Sequence, residues 1–249
     1  MRGDVGAPLP HLNLLKSQFS DPLENLVCDE ILLDLCDTGE IGPVIRFWEP
    51  SGDFVVLGYG NDLKSEVNCE ACVQLGVPVF RRCSGGGTVL QGKGCLSYSL
   101  VLPLSSDAAL STVGGTNDFI MERHRKVLES LLSVPVFVRG CTDLTVGDLK
   151  FSGNSQRRRR SCLLFHGTFL IDLDRSLMNR LLLIPSRQPK YRLGRAHAQF
   201  TCNLPLTVEQ VIRAVSKEWG VQAALTNFDV ARVRTMARER RDDLRWCCL

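Results

Sequence analysis

Three consecutive glycines, Gly85-Gly86-Gly87, stand between two β-rich runs, 77–82 and 88–90. This placement constrains the fold more than any other feature of the chain. Glycine loses more backbone freedom on folding than any other residue, so a run of three is kept for a reason. A P-loop requires Gly-Lys-Ser/Thr leading into a helix, and a dinucleotide fingerprint requires G-x-G-x-x-G opening a helix. Here Thr88-Val89-Leu90 continues as strand. Backbone N–H groups in such a loop can approach a ligand closely and form an anion-binding concavity. Arg81 and Arg82 end the first strand, where a guanidinium can pair in bidentate fashion with phosphate or carboxylate. A β-meander turn needs only one or two glycines, and neither the Arg-Arg pair nor Ser84.

The remaining pattern reads as strands clustered among helices. Asp21 caps a helix that Pro22 opens, with Glu24 placed for a capping box and Leu23, Val27, Ile31 and Leu35 on one face. Residues 44–48 and 54–57 are β-rich runs around the turn residues Pro50 to Asp53, and they read as a hairpin. A helix from about Asn68 leads to the strand before the glycine loop, and 95–102 is another strand. Residues 117–132 read as helix, with Phe119, Met121, Val127, Leu128, Leu131 and Leu132 toward a core, stopped by Pro135. Residues 136–138, 143–146 and 162–172 read as strands, and 177–184 as a short helix ending at Pro185. Thr207 to Gln210 form a capping box, and 229–241 are a charged last helix. The fold class is α+β, a mixed β-sheet flanked by helices, too irregular for a Rossmann alternation.

With 249 residues, 44% of them hydrophobic, the chain suits one large domain or one domain plus a small appendage. A net charge of +3 does not by itself imply a polyanionic partner. No stretch approaches the roughly 20 apolar residues of a membrane span. The first ten residues lack a secretory pattern, so a cytoplasmic location with reduced thiols is expected. Cys69 and Cys72 form a C-x-x-C without a second pair, and they read as buried small hydrophobes and not as a zinc site.

A second segment makes the glycine loop specific. Lys150-Phe151-Ser152-Gly153-Asn154-Ser155-Gln156 is followed by Arg157 to Arg160 and then by His166-Gly167-Thr168. Together with Arg81-Arg82-Cys83-Ser84-Gly85-Gly86-Gly87-Thr88-Val89, this resembles the lipoate–protein ligase family, with its R-R-x-S-G-G-G-x-V loop, K-x-S-G-N-x-Q segment and downstream H-G-T. The helix 21–34, Val77-Pro78-Val79 and Asn203-Leu204 also match, so the resemblance spans roughly residues 20–205.

The resemblance implies the fold that biotin–protein ligases share, related to the class II aminoacyl-tRNA synthetase catalytic domain. It implies activation of lipoate by ATP, with Mg2+ as counter-ion, to lipoyl-adenylate. The acyl group then passes to a lysine on a lipoyl domain of a 2-oxoacid dehydrogenase subunit or on the glycine-cleavage H protein. Residues 1–20 become a lead-in, 21–205 the catalytic domain and 206–249 a short helical extension. That extension is short for the family's accessory domain, so the resemblance implies a separate accessory partner or an enzyme that does not adenylate.

Acyl-adenylate formation brings two anions together, and Lys150 is the candidate catalytic cation for it. The resemblance assigns Arg82, Ser84, Gly85, Gly86, Gly87, Thr88 and Val89 to the phosphate and nucleotide. Val89, Leu90 and Phe151 would line an acyl tunnel. Asp143 would contact adenine or order the lysine, with Ser152 and Gly153 beside it. His166, Gly167 and Thr168 would orient loop or ligand, a satisfied structural histidine being the alternative reading of His166.

Departures from the family pattern open a second reading. The strand after the glycine loop usually begins His-Asp and carries two asparagines; Gln91-Gly92, Cys95 and Ser97 stand there instead. Octanoyl and lipoyl transferases share the fold but take the acyl group on a cysteine, without ATP. One class has that cysteine in Pro-Cys-Gly, where this chain has Ile184-Pro185-Ser186. Another has it upstream of the lysine, which makes Cys141 the alternative nucleophile, although nearer to Lys150 than that pattern expects. Cys162 reads as core. No Gly-Arg-Gly-Arg loop suggests biotin. A nucleic-acid reading of Arg157 to Arg160 lacks interleaved aromatics for stacking, and some of these arginines would instead meet an acidic lipoyl domain. A non-catalytic binding subunit is disfavoured by the intact Lys150 and glycine loop.

Overall fold

The computed structural model describes residues 11–185 and 187–249. In chain order it holds β1 (Leu12–Leu15), α1 (Pro22–Asp37), β2 (Val44–Trp48), β3 (Phe54–Leu57), α2 (Leu63–Glu66), α3 (Cys69–Leu75), β4 (Val79–Arg81), β5 (Val89–Gln91), β6 (Cys95–Pro103) and α4 (Val113–Leu132). β7 (Val136–Arg139), β8 (Asp143–Val146), β9 (Leu149–Arg158), β10 (Cys162–Leu170), α5 (Arg175–Leu181), α6 (His197–Phe200), α7 (Val208–Glu218), β11 (Val221–Ala224) and α8 (Val230–Arg241) follow.

The strands form two sheets. The larger runs β11-β1-β2-β6-β10-β9-β8-β7 and the smaller β4-β3-β5. β1 lies parallel to both β11 and β2, and the neighbours from β2 onward are antiparallel. The mixed α+β architecture is the expected one. Asp21 caps α1 through the Leu23 N–H at 2.9 Å, and the Thr207–Gln210 capping box opens α7.

Several elements differ from the sequence reading. β2 and β3 are not a hairpin but lie in different sheets, because β2 is buried along its whole length and pairs with β1 and β6 instead. Residues 12–15 are not an unstructured lead-in: Leu12 and Leu15 are buried, and β1 sits between β11 and β2. Both flanks of 21–205 therefore supply strands to the main sheet. The Lys150 segment is a strand too. It is β9, whose run of Ser, Gly, Asn and Gln hides the hydrophobic alternation that identifies a strand. α5 ends at Leu181, before Pro185 is reached.

Strand alternation buries both faces of the main sheet. Leu96, Leu100 and Leu102 of β6 and Leu163, Phe165 and Phe169 of β10 pack toward Ile120 and Leu128 of α4 and Val211 and Val215 of α7. Val101, Cys162 and Leu164, on the other face, pack with α1 and with Val233 and Ala237 of α8. Each such side chain contributes about 1.5–3 kcal/mol when fully buried. α1 is thus buried almost all round, and its polar residues Asn25, Asp29 and Glu30 are buried with it. Cys72 is a buried small hydrophobe as expected, in the cluster beneath the small sheet, with half-buried Cys69 packed against it.

Candidate active site

The glycine loop is shaped by its own arginines. Arg81 donates to the carbonyls of Gly58, Tyr59 and Asn61 and to that of Arg245 near the chain end. Arg82 donates to the carbonyls of Gly85 and Gly87 and to Ser84 Oγ. Burial pushes its pKa down to about 10, so it is still a cation at neutral pH. Arg82 therefore holds the glycine loop, and Arg81 holds the neighbouring turn 58–61. Gly86 takes a left-handed φ of +83°, and its carbonyl lies 2.1 Å from where a Cβ on Gly58 would stand, so both positions require glycine. A Cβ on Gly85 or Gly87 would meet nothing within 4 Å; packing inside the protein does not demand glycine there.

Ser84 lies beneath the loop and outside the cavity. Its Oγ meets His166 Nε2 at 2.5 Å and accepts from Arg82 Nε at 3.0 Å. With that lone pair occupied, the hydroxyl proton is free to go to Nε2. His166 Nδ1 then donates to Asp29 Oδ2, 3.2 Å away. Asp29 also pairs with fully buried Arg46 at 2.9 Å. Burial alone would raise the Asp29 pKa. The His166 hydrogen bond and the Arg46 charge outweigh it and hold the carboxyl below its usual range. His166 is thus a satisfied histidine that also lines the cavity.

Lys150 is aimed by a bulge. Leu144 pairs with Ser152 but Thr145 pairs with Lys150, so Phe151 is the extra residue on β9. Bulges re-aim neighbouring side chains. Lys150 Nζ crosses over Gly153, where a Cβ would lie 2.7 Å from it, to reach Asp143 Oδ1 at 2.7 Å. The Tyr191 hydroxyl donates to the other Asp143 oxygen at 2.7 Å. Asn154 organises the neighbouring turn: its Oδ1 accepts from Tyr98 at 2.6 Å and its Nδ2 donates to the Thr142 carbonyl at 2.6 Å. A Cβ on Gly167 would stand 1.8 Å from Asn154 Oδ1, so the glycine of His-Gly-Thr makes room for the asparagine of the lysine segment.

These elements enclose a cavity of about 520 Å3. Arg82, Gly86, Gly87, Thr88, Val89, Leu90, Asp143, Lys150, Ser152, Gly153, His166, Gly167 and Thr168 all line it. Three expected residues do not, Phe151 among them: Ser84 is buried under the loop, and Gly85 turns its carbonyl to Arg82 and Ser155. Phe151 is not a tunnel wall. It faces the α4 side, fully buried. Exposed Cys141 does line the cavity, whereas Cys162 is core, 3.3 Å from Cys36. Ser186 of Ile184-Pro185-Ser186 lies outside the described residues.

The sequence reading missed Asp29, Arg46, Tyr98, Tyr191 and Arg192. Asp29 had a signal: an acid inside a helix apolar on every side must be buried and paired. Arg46, in the middle of a buried strand, had the same one. The Arg157–Arg159 run is committed internally. Arg157 lies over Tyr59, Arg158 donates to Leu110 and Ser111 carbonyls, and Arg159 pairs with Asp34 and Glu30. Both Asp29 and Asp143 are already paired, while Mg2+ asks for one or two free carboxylates. Among the described residues no group of three or more His, Cys, Asp or Glu stands together as a metal site would require of protein ligands alone. Among the same residues no helix is long and apolar enough to cross a membrane.

A family model described as the lipoyl protein ligase A/B catalytic domain matches residues 21–222. The chain belongs to that family. Octanoyltransferase LipM of Geobacillus kaustophilus is 30% identical over 203 residues, covering 73% of this chain and 73% of that protein. A protein of Aeropyrum pernix named as a lipoate-protein ligase A is 34% identical over 173 residues, 68% of this chain; the chain spans only 61% of that relative's length. A crystal structure of lipoate-protein ligase A bound with ATP superposes with a TM-score of 0.75 at 20% identity, over 94% of this chain and 95% of the other. The last similarity establishes the fold of this family member, and its relatives include both ligases and transferases.

Proposed function

We propose that this family member attaches a lipoyl or octanoyl group to a lysine of a lipoyl domain by the ligase route. A carboxylate oxygen of the acid attacks the α-phosphorus of ATP, and the bond to pyrophosphate breaks. The acceptor lysine amine then attacks the acyl carbon, AMP leaves and the amine gives up a proton. The observation that carries this reading is Lys150, held over Gly153 by Asp143 on the wall of the cavity. An ammonium has three N–H donors. Asp143 takes one, and two remain for the oxygens of carboxylate and α-phosphate as they approach. Gly86, Gly87 and Thr88 offer loop backbone to the nucleotide, and Val89, Leu90, Leu170 and Met178 offer apolar wall to the acyl chain. Mg2+ enters as the counter-ion of the nucleotide.

Cys141 favours a second reading. It is exposed on the same cavity wall, two residues before Asp143, where a thiolate could take an octanoyl group from a carrier thioester. One experiment separates the two. A lipoyl domain of a 2-oxoacid dehydrogenase subunit, or the H protein, is incubated with enzyme and either ATP, Mg2+ and lipoate or octanoyl-carrier protein without ATP. A candidate accessory subunit is added in parallel, and intact mass is read. Modification in the ATP arm is expected. Modification only in the carrier arm, lost in Cys141→Ser, overturns the ligase route.

A further inference from the structure

Two cations of the cavity wall, Arg82 and Lys150, are committed to protein partners. Arg82 holds loop carbonyls, and Lys150 gives one N–H to Asp143. Arg192 differs. It lines the cavity and is 4% exposed, yet its Nη2 is sealed from solvent with no hydrogen-bond partner among the described residues. An orphaned N–H of a charged group is costly, more so than a neutral one. The surroundings nevertheless fix it in place. Arg192 Nε donates to the Arg195 carbonyl at 3.0 Å, and its guanidinium lies 4.8 Å from the Phe200 ring centre. Arg195 donates in return to the carbonyls of Arg192, Tyr191 and Asp148. Leu193, next in sequence, holds a left-handed φ of +54°, a conformation residues other than glycine rarely take. Tyr191, just before, donates to the carboxylate that holds Lys150. The segment 190–195 is therefore tied to the Lys150–Asp143 pair while it presents a guanidinium whose Nη2 has no partner among the described residues. Lys150 pairs with that acid and Arg192 feels its charge, so two cations flank one carboxylate there. Burial lowers the pKa of His197, on the same wall, and the charges of Arg192 and Lys150 add to that.

We propose that Arg192 is the receptor for a phosphate group of the substrate, acting with the free N–H groups of Lys150. The inference rests on the reading above for the cavity's role in acyl transfer. A guanidinium fork matches phosphate oxygens in bidentate fashion, which a lone ammonium cannot. Two sources present this chemistry: the α-phosphate of an acyl-adenylate, and the phosphodiester of the phosphopantetheine arm that carries an acyl thioester.

Calorimetric titration of the full chain with two matched pairs isolates the phosphate: AMP against adenosine, and 4′-phosphopantetheine against pantetheine. Wild-type protein is expected to bind the phosphorylated member of at least one pair about tenfold more tightly than the other member. Arg192→Gln removes that preference, Arg192→Lys keeps part of it, and neither changes lipoate affinity. A preference in the AMP pair assigns the phosphate to a nucleotide, and one in the pantetheine pair assigns it to a carrier. The proposal is overturned if the preference survives in Arg192→Gln, if wild-type protein shows none in either pair, or if lipoate affinity falls equally. The ligase route fails by a different readout, absence of ATP-dependent lipoylation, and the titration needs no turnover.

Discussion

Ser84 Oγ lies 2.5 Å from His166 Nε2, across 82 positions of sequence, and this contact joins the glycine loop to the His-Gly-Thr strand. The chain of contacts continues through Asp29 to Arg46, so the loop is anchored to α1 and β2 as well. His166→Ala removes the partner of the Ser84 hydroxyl proton and of Asp29 Oδ2, while Arg82 and Arg46 keep their contacts. Unfolding in urea should show a loss of about 1–3 kcal/mol for each buried group left without a partner. Acyl transfer should fall with it, and unchanged stability would refute the anchoring role.

Gly167→Ala places a Cβ on Asn154 Oδ1. The asparagine must then release Tyr98 or Thr142, and with them the turn that leads to Asp143. A stability loss of about 1–3 kcal/mol is expected from the overpacking. Adding Asn154→Ala should recover part of it, because the two positions clash with each other directly. Strictly additive effects in the four-variant cycle would exclude that clash.

Asp29 makes stability depend on pH in a defined direction. Its folded-state pKa lies below the unfolded value of about 3.9. Its contribution is therefore present above that value and lost as pH falls through the lower folded one. Asp29→Asn leaves Arg46 buried without its counter-charge, a change that costs about 3–5 kcal/mol at neutral pH. The variant should also lose less stability than wild type between neutral and acid pH. An identical acid limb in both proteins would contradict this.

Cys141→Ser should leave ATP-dependent lipoylation at the wild-type rate, measured by mass spectrometry of the acceptor domain. The thiol lines the cavity but touches neither Lys150 nor the loop through any hydrogen bond among the described residues. Loss of activity would transfer the nucleophile's role to Cys141.

The two motifs, the fold class and most elements were legible in the sequence, because glycine runs, caps and apolar periodicity are local signals. What was not legible depends on distant partners. Arg81 and Arg82 read as phosphate ligands until the carbonyls of residues 58, 59, 61, 85 and 87 stand around them. Ser84 reads as a ligand contact until His166 appears behind it. β9 was hidden because its site-facing residues are polar, and the bulge at Phe151 turned a presumed tunnel residue into the core. β1 escaped because four residues carry too short a pattern, and only pairing with β2 and β11 makes them a strand. Tyr191 and Arg192 carry no motif; only the fold brings them to Asp143.

The most direct test is Lys150→Ala, assayed for lipoylation of an acceptor domain with ATP and lipoate and, separately, with preformed lipoyl-adenylate. Lys150 is placed to draw carboxylate and α-phosphate together, so the ATP-dependent rate should fall by about 10²–10³-fold, the size seen when one preorganised electrostatic donor is removed. Lipoate should still bind. An ATP-dependent rate equal to wild type would contradict the central role of Lys150.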